Sequence, residues 1–416
     1  MFKDLLNKLF HKRIYLDYAS LTPIDPRVLG EMRKYSSSKY ANPSSLYKEG
    51  VLAKKSIKEV RNRIASSIHA EESEIFFTSG GTESNNLAIL GVVESLHEKG
   101  LEYGKMHILL SVIEHSSIRE CANYLEGKGV LVELIPVNDS GLVSVEDLKK
   151  RIRANTVIVS VMTVNNEIGS NQAIREIAKV IRHFRSNKNN DSIFNFQDFS
   201  YPIFHTDASQ AVLSEEIDVK KTGVDLMTLD GSKIYGPRGS GLLFIKKDLP
   251  IVPIIHGGGQ ESGLRSGTEN LPAIMGFGKA IEIADKQRVL EKQRITEIRD
   301  YFISGLRKIR PNIKLNAIES FFHTNKGMDI QEKYSPYIVN ITIPGIDNEF
   351  FVLQLDAKGI SCSTKSSCLG DEEESYVLHA INANSKESIR FSFGRWTTKR
   401  DVKMVLGIID KILANN

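Results

Sequence analysis

Two stretches decide how this chain is to be read: Ile203-Phe204-His205-Thr206-Asp207-Ala208-Ser209-Gln210, and Asp225-Leu226-Met227-Thr228-Leu229-Asp230-Gly231-Ser232-Lys233-Ile234-Tyr235-Gly236-Pro237. Each holds a short apolar run with its polar residues gathered at the end. The first delivers an acid, Asp207, and the second a base, Lys233. A strand covered on both faces loses the polar–apolar alternation of a half-exposed one, so both runs read as buried strands of a parallel sheet. Ligands of open α/β sheets gather at the carboxyl ends of the strands, which is where Asp207 and Lys233 fall.

The sequence before this stretch has the same rhythm. Strands are expected at Glu74–Thr78, His107–Ser111, Val130–Pro136 and Thr156–Thr163, alternating with helices at Asn85–Lys99, Ser117–Glu126, Val145–Arg151 and Ala173–Arg185. Regular β/α alternation argues for a mostly parallel sheet with helices on both faces. The polar runs 186–200 and 320–335 interrupt it and read as surface insertions. Beyond Lys246 a long helix is expected from about Leu271 to Lys308. It leads to a smaller region with strands at Ile338–Ile343 and Ser388–Phe393 and a last helix, Thr398–Leu413.

Bulk properties narrow the function. The 416 residues are 41% hydrophobic and 25% charged, which suits a globular protein of two or three domains. A net charge of +4 over this length gives no case for nucleic-acid binding. The three cysteines, Cys121, Cys362 and Cys368, do not suit a disulfide framework; they fit a reducing compartment, and a cytoplasmic location is expected. No run approaches the roughly 18 apolar residues of a membrane span. Residues 1–13 place Phe2, Leu5, Leu6, Leu9 and Phe10 on one helical face, with Lys3, Lys8, Lys12 and Arg13 around it. This extension reads as packing on its own protein or a partner; a mitochondrial-type presequence and a membrane-surface helix are the alternatives.

Ser79-Gly80-Gly81-Thr82 lies between a strand and a helix, where free backbone N–H groups, close approach at glycine and nearby hydroxyls make an anion cup. Gly236-Pro237-Arg238-Gly239-Ser240-Gly241 imitates a dinucleotide fingerprint but leads into another strand, Leu242–Ile245, instead of opening a helix. Asp207 and Lys233 together are what a pyridoxal phosphate enzyme needs, a carboxylate against the pyridine nitrogen and an amine for the Schiff base. Taken singly, each is equally well a solvated charge on a βα loop.

The ordered series Tyr15-Leu16-Asp17-Tyr18, Thr78-Ser79-Gly80-Gly81-Thr82-Glu83-Ser84-Asn85, Glu114-His115, Val164-Asn165-Asn166-Glu167-Ile168-Gly169, Asp207-Ala208-Ser209-Gln210, Lys233-Ile234-Tyr235-Gly236-Pro237, Arg265-Ser266-Gly267-Thr268, Ser366-Ser367-Cys368 and Ile389-Arg390-Phe391-Ser392 runs from end to end. In this series the chain resembles the cysteine desulfurases, in the class V branch of the fold type I pyridoxal phosphate enzymes. The resemblance implies an α/β fold with a large, mostly parallel sheet domain at 29–283 and a smaller α+β domain at 284–416. The segment 14–28 would join the small domain.

It further implies pyridoxal 5'-phosphate held by Lys233, with Asp207 on the ring nitrogen and Gln210 on the phenolic oxygen. His115 would stack on the ring and carry protons. Gly81, Thr82 and Ser232 would hold the phosphate, and Thr268 would reach the phosphate of a second subunit, so a homodimer is expected. Arg390 would fork onto the carboxylate of L-cysteine, helped by Asn166; Arg395 is a second candidate, with a structural ion pair its expected role. Cys368 would attack the substrate sulfur and carry it as a persulfide to an acceptor, an iron–sulfur scaffold or a tRNA-thiolating enzyme. Its neighbours are small and polar; Lys365 favours the thiolate, while Asp371 to Glu374 oppose it. Cys362 is a reserve thiol and Cys121 a core residue. No metal is expected, since the cysteines and His379 lack ligand spacing.

The family usually has Ser-Gly-His-Lys where this chain has Asp230-Gly231-Ser232-Lys233, which sets an anion where an anion should be held. Lys365, Tyr47 and Leu21 depart from the pattern as well. The alternatives are a selenocysteine lyase, β-lyase or transaminase using the same Lys and Asp, and a non-catalytic scaffold in sulfur trafficking.

Overall fold

The computed structural model describes residues 13–187, 200–319, 333–364 and 374–414. Its first strand, β1 (Ile14–Tyr15), precedes a seven-stranded sheet made of β2 (Ile75–Thr78), β3 (His107–Ser111), β4 (Leu131–Ile135), β5 (Thr156–Ser160), β6 (Ile203–Asp207), β7 (Leu226–Asp230) and β8 (Gly241–Ile245). The spatial order is β2-β8-β7-β6-β5-β3-β4. Strand β8 runs antiparallel to both its neighbours, and the other six point the same way.

Strand burial follows from composition. β3, β5, β6 and β8 are buried at every residue, while β4, at the sheet edge, exposes Leu131 and Leu134. Successive side chains leave the sheet on opposite faces. Thus Phe77, Leu109, Phe204, Met227 and Leu242 enter one core, and Phe76, Leu110, Ile203, Leu226 and Leu243 enter the other. Five of the parallel strands, β2, β3, β5, β6 and β7, lead at their carboxyl ends into Gly81, His115, Asn166, Asp207 and Lys233 respectively.

Three helices set the geometry of the site: α1 (Gly81–Glu98), α2 (Ser116–Gly127) and α3 (Leu271–Ile309). The sequence places the start of α1 near Asn85; the helix begins at Gly81, with Ser84 N–H already donating to Gly80 O at 3.1 Å. Asn85 therefore sits one turn inside the helix, beside the sheet. Helix α3 is continuous over 39 residues. Its first half, Leu271 to Ala284, packs on the large-sheet core, and its second half, Ile295 to Leu306, packs on a separate core.

That second core belongs to β9 (Lys314–Leu315), β10 (Ile338–Thr342) and β12 (Ser388–Ser392), antiparallel in the order β12-β10-β9. Strand β11 (Ile360–Ser361) pairs parallel with β1. Leu16 is consequently buried among C-terminal residues. A helix at Asn348–Ala357, capped by Asp347, was not expected from the sequence. The end of the 320–335 stretch also departs from expectation. Tyr334 and Ser335 are buried, and Tyr334 Oη donates to Ser140 O at 2.7 Å, so both are core residues of the small domain rather than surface insertion.

Phe302 of α3 packs within the small-domain core, meeting Phe391 and Phe393 edge-on at centroid distances of 5.0 and 5.5 Å. It is wholly buried. Phe302→Ala is expected to lower unfolding stability by about 3–5 kcal/mol, read as a lower urea midpoint, with a loss under about 1 kcal/mol contradicting this account of the core.

Candidate active site

Asp207 ends β6 and is buried. Its Oδ1 accepts from Ser209 N–H at 2.9 Å and its Oδ2 from Asn85 Nδ2 at 2.8 Å. Lys233 closes the single turn Gly231–Lys233 that follows β7. Lys233 Nζ donates to Ser20 O at 2.6 Å. Because β6 and β7 are hydrogen-bonded neighbours, Asp207 and Lys233 line one cavity of about 240 Å³. His115, Gln210, Asn166, Thr82, Gly81 and Arg390 line it as well.

His115 caps α2 with its own ring. Nδ1 accepts from Ser117 N–H at 3.1 Å and lies 2.8 Å from Ser117 Oγ. Asn85 Nδ2 donates to that same Oγ at 2.8 Å, so the hydroxyl hydrogen is left for Nδ1. With Nδ1 accepting twice, the neutral ring carries its hydrogen on Nε2. Asn85 thereby links Asp207 to His115 through Ser117.

Arg390, on β12, is almost wholly buried yet reaches the cavity. Nη1 donates to Asn166 O at 2.8 Å; Nη2 donates to Asp17 Oδ1 at 2.8 Å and to Ser20 Oγ at 2.6 Å. Nε has no hydrogen-bond partner among the described residues. The fork is thus partly engaged inside the protein, leaving Nε and one Nη1 hydrogen for a ligand. Gln210 Nε2 donates to Ala19 O at 2.8 Å. Arg395 pairs with Asp25 and stacks 4.2 Å over the Tyr235 ring, the structural role expected of it. The Arg27 hydrogen bond, with Arg395 nearby, holds the Asp25 carboxyl down at about 2.

Not all expected residues meet at the cavity. Ser232 does not line it; its N–H donates to Asp230 Oδ1 at 2.7 Å and its carbonyl accepts from Thr22 Oγ1 at 2.7 Å. Thr268 is exposed and lines a separate depression with Tyr47 and Asn270. Cys368 lies outside the described residues. Of the other two thiols, Cys121 is buried beside Ser117 O, and Cys362 packs against the small-domain core. Burial pushes both up to about 12, so neither is a ready thiolate. Asn85, Ser117, Ser209 and Ser20 belong to the site and received no role from the sequence. The available signal was the position of Asn85, four residues after Gly81, which puts it on the same helix face.

Below the cavity lie buried groups that titrate. His205, between Ser160 Oγ at 2.8 Å and Thr228 Oγ1 at 3.2 Å, is pushed down to about 4 by burial. Glu114 is fully buried: Oε1 accepts from Ser111 Oγ at 2.6 Å and Met162 N–H at 2.7 Å, and Oε2 has no partner among the described residues. Burial raises this carboxyl from 4.5 to about 7. A raised folded-state pKa adds stability that is complete below the unfolded value of 4.5 and is lost as pH rises through about 7. Glu114→Gln removes that dependence. Between about pH 4 and pH 8 the stability gap should therefore swing by about 3 kcal/mol in the variant's favour, measured as urea midpoints; a gap independent of pH contradicts it.

Comparison with known proteins agrees with this geometry. The aminotransferase class-V family matches residues 14–405. The cysteine desulfurase IscS of Dictyoglomus turgidum is 38% identical, covering 97% of this chain and 95% of the relative. Cysteine desulfurase IscS 1 of Archaeoglobus fulgidus is 38% identical, covering 96% of each. Among solved structures, a NifS-like protein superposes with a TM-score of 0.84 at 30% identity, over 97% of this chain and 100% of that one. SspA in complex with cysteine superposes at 0.74 with 30% identity, over 92% of this chain and 100% of its own. This chain belongs to the aminotransferase class-V family, in its cysteine desulfurase branch.

Proposed function

We propose that this chain removes sulfur from L-cysteine, releasing L-alanine and leaving the sulfur as a persulfide on Cys368, with pyridoxal 5'-phosphate as cofactor. The observation that carries the reading is the meeting of Asp207 and Lys233, from adjacent strands, in one cavity with Arg390. The donor set fits the cofactor. Ser209 Oγ is buried at the cavity with no partner among the described residues, and the Gly81 N–H at the start of α1 already holds a carboxylate, Asp230 Oδ2 at 3.1 Å, so this corner of the cavity accepts an anion.

When bound, pyridoxal 5'-phosphate supplies an electron sink for the bonds of the substrate's α-carbon. Asp207, fixed by Asn85 and Ser209, would hold the ring nitrogen, and Gln210 would hold the phenolic oxygen. Lys233 Nζ is the amine that would hold the cofactor and, once released, would carry a proton. His115 holds a proton at Nε2, oriented through Ser117. Arg390, which lines the cavity, is the group that would hold the substrate carboxylate, with Asn166 beside it. The substrate's carbon–sulfur bond breaks, a sulfur–sulfur bond forms at Cys368, and the thiol proton ends on the substrate carbon to give alanine.

The neighbours of the 365–373 segment support this use of Cys368. Arg390 N–H donates to Ser363 O at 2.7 Å, and Tyr376 Oη donates to Glu114 O at 2.6 Å, so residues at both sides of the segment touch the cavity wall or its immediate neighbour. Thr268, exposed and outside the cavity, suits contact with the cofactor phosphate of a second copy in a homodimer. The persulfide would pass to an acceptor protein, an iron–sulfur scaffold or a tRNA-thiolating enzyme, in the cytoplasm. Among the described residues no helix is long and apolar enough to cross a membrane.

Incubation with L-cysteine should yield alanine and a protein persulfide in equal amounts. Lys233→Ala and Cys368→Ser should each abolish both products, and Arg390→Lys should raise KM for cysteine about ten- to a hundredfold. Undiminished alanine release by Cys368→Ser would make the chain a lyase instead.

A further inference from the structure

Asp230 sits where the cofactor reading places a phosphate. It is the last residue of β7, and both carboxylate oxygens are held by backbone donors. Oδ1 accepts from Ser232 N–H at 2.7 Å and Oδ2 from Gly81 N–H at 3.1 Å. Gly81 is the first residue of α1, an 18-residue helix, and its N–H is one of the donors left free at a helix start. A Cβ on residue 81 would stand 3.2 Å from Asp230 Oδ2 and 3.5 Å from Ser209 Oγ. The two side chains therefore converge on one point over the amino end of α1. Ser209 is 8% exposed, and its hydroxyl has no partner among the described residues.

We propose that Asp230 is a built-in occupant of the phosphate cup, competing with the cofactor's phosphate for the amino end of α1. The proposal rests on the reading of this cavity as a pyridoxal 5'-phosphate site. A helix start attracts one anion through its unpaired N–H groups and the positive end of its dipole. A carboxylate and a phosphate cannot both lie on Gly81 N–H without strong repulsion in a partly buried site. The phosphate must therefore displace Asp230 from the cup, and the free energy of the internal contact is subtracted from cofactor binding. Ser209 is the donor the carboxylate leaves unused, and a phosphate, with three acceptor oxygens, can take it along with Gly81 N–H. Two consequences follow: Asp230 stabilises the apoprotein, and this chain distinguishes poorly between pyridoxal 5'-phosphate and pyridoxal, which lacks the phosphate.

The test is a titration of full-length apoprotein with each of the two compounds, followed by absorbance, on wild type, Asp230→Ser and Asp230→Asn. Asparagine keeps a side-chain acceptor for Ser232 N–H, which guards against loss of the turn. Both variants should bind pyridoxal 5'-phosphate about tenfold more tightly than wild type while pyridoxal affinity stays the same. Their apoproteins should melt at lower temperature than the wild-type apoprotein. An unchanged or lowered preference for the phosphorylated compound overturns the proposal, as does an unaltered melting temperature in both variants. If none of the three proteins takes up either compound, the cofactor reading falls and this proposal falls with it. Uptake of both compounds with an unchanged preference overturns the cup proposal alone.

Discussion

The parallel pairing of β6 with β7, His205 opposite Leu226 through Asp207 opposite Thr228, is the constraint on which the site depends. It sets the end of one strand beside the end of the next, so that a carboxylate and an amine separated by a long loop face a common space. A one-residue slip would send every side chain of β6 to the other face. Full burial of both faces resists such a slip: Phe204 fits one core and Ile203 the other. Asp225 fixes the start of the pair from below, since its buried carboxylate accepts from Phe204 N–H at 2.9 Å and pairs with Arg185 and Lys246. The register is thus held by apolar packing along the strands and by a charge at one end.

A second constraint brings the small domain to this sheet. The segment from Asp17 to Asp25 lies between the lysine turn and Arg390. Ser20 accepts Lys233 Nζ with its carbonyl and Arg390 Nη2 with its hydroxyl. Thr22 Oγ1 donates to Ser232 O at 2.7 Å and accepts from Tyr235 N–H at 2.7 Å. Tyr235 needs that support, because its φ of 63° is a left-handed conformation that costs a bulky residue energy. Asp25 N–H donates to Tyr235 O at 3.0 Å, and Arg395 N–H donates to its hydroxyl at 2.6 Å. The turn that presents the lysine is therefore kept in shape by the amino-terminal segment and by the residues just after β12.

These long-range contacts mark the limit of what the sequence discloses. Continuous apolar runs disclosed the buried strands, and Asp207 and Lys233 could be read from the strand ends because a local rule covers them. The Gly236 to Gly241 run was separable from a nucleotide loop for the same reason; it leads straight into β8. Asn85, Ser117 and Ser209 are ordinary polar residues, and their roles exist only because three segments converge on one cavity. Arg390 shows the same limit differently. Its type and position suggest a carboxylate clamp, but the ion pair with Asp17, 373 positions away, has no local signature. The helix Asn348–Ala357 escaped because Phe350 and Leu353 are exposed while Phe351 and Leu355 are buried, which erases the apolar stripe that marks a helix.

Charge is distributed along the cavity in a way that ties stability to binding. Asp207, Asp230 and Asp17 stand against Lys233 and Arg390, so the site does not attract an anionic ligand by excess positive charge. Recognition must come from oriented donors such as Ser209 Oγ and Arg390 Nε, both lacking partners among the described residues. An unpaired buried donor costs roughly 1–3 kcal/mol, so the folded chain carries that cost before any ligand arrives. A ligand oxygen that meets such a donor recovers that cost. The same donors that weaken the free protein are those best placed to tighten its grip on a ligand.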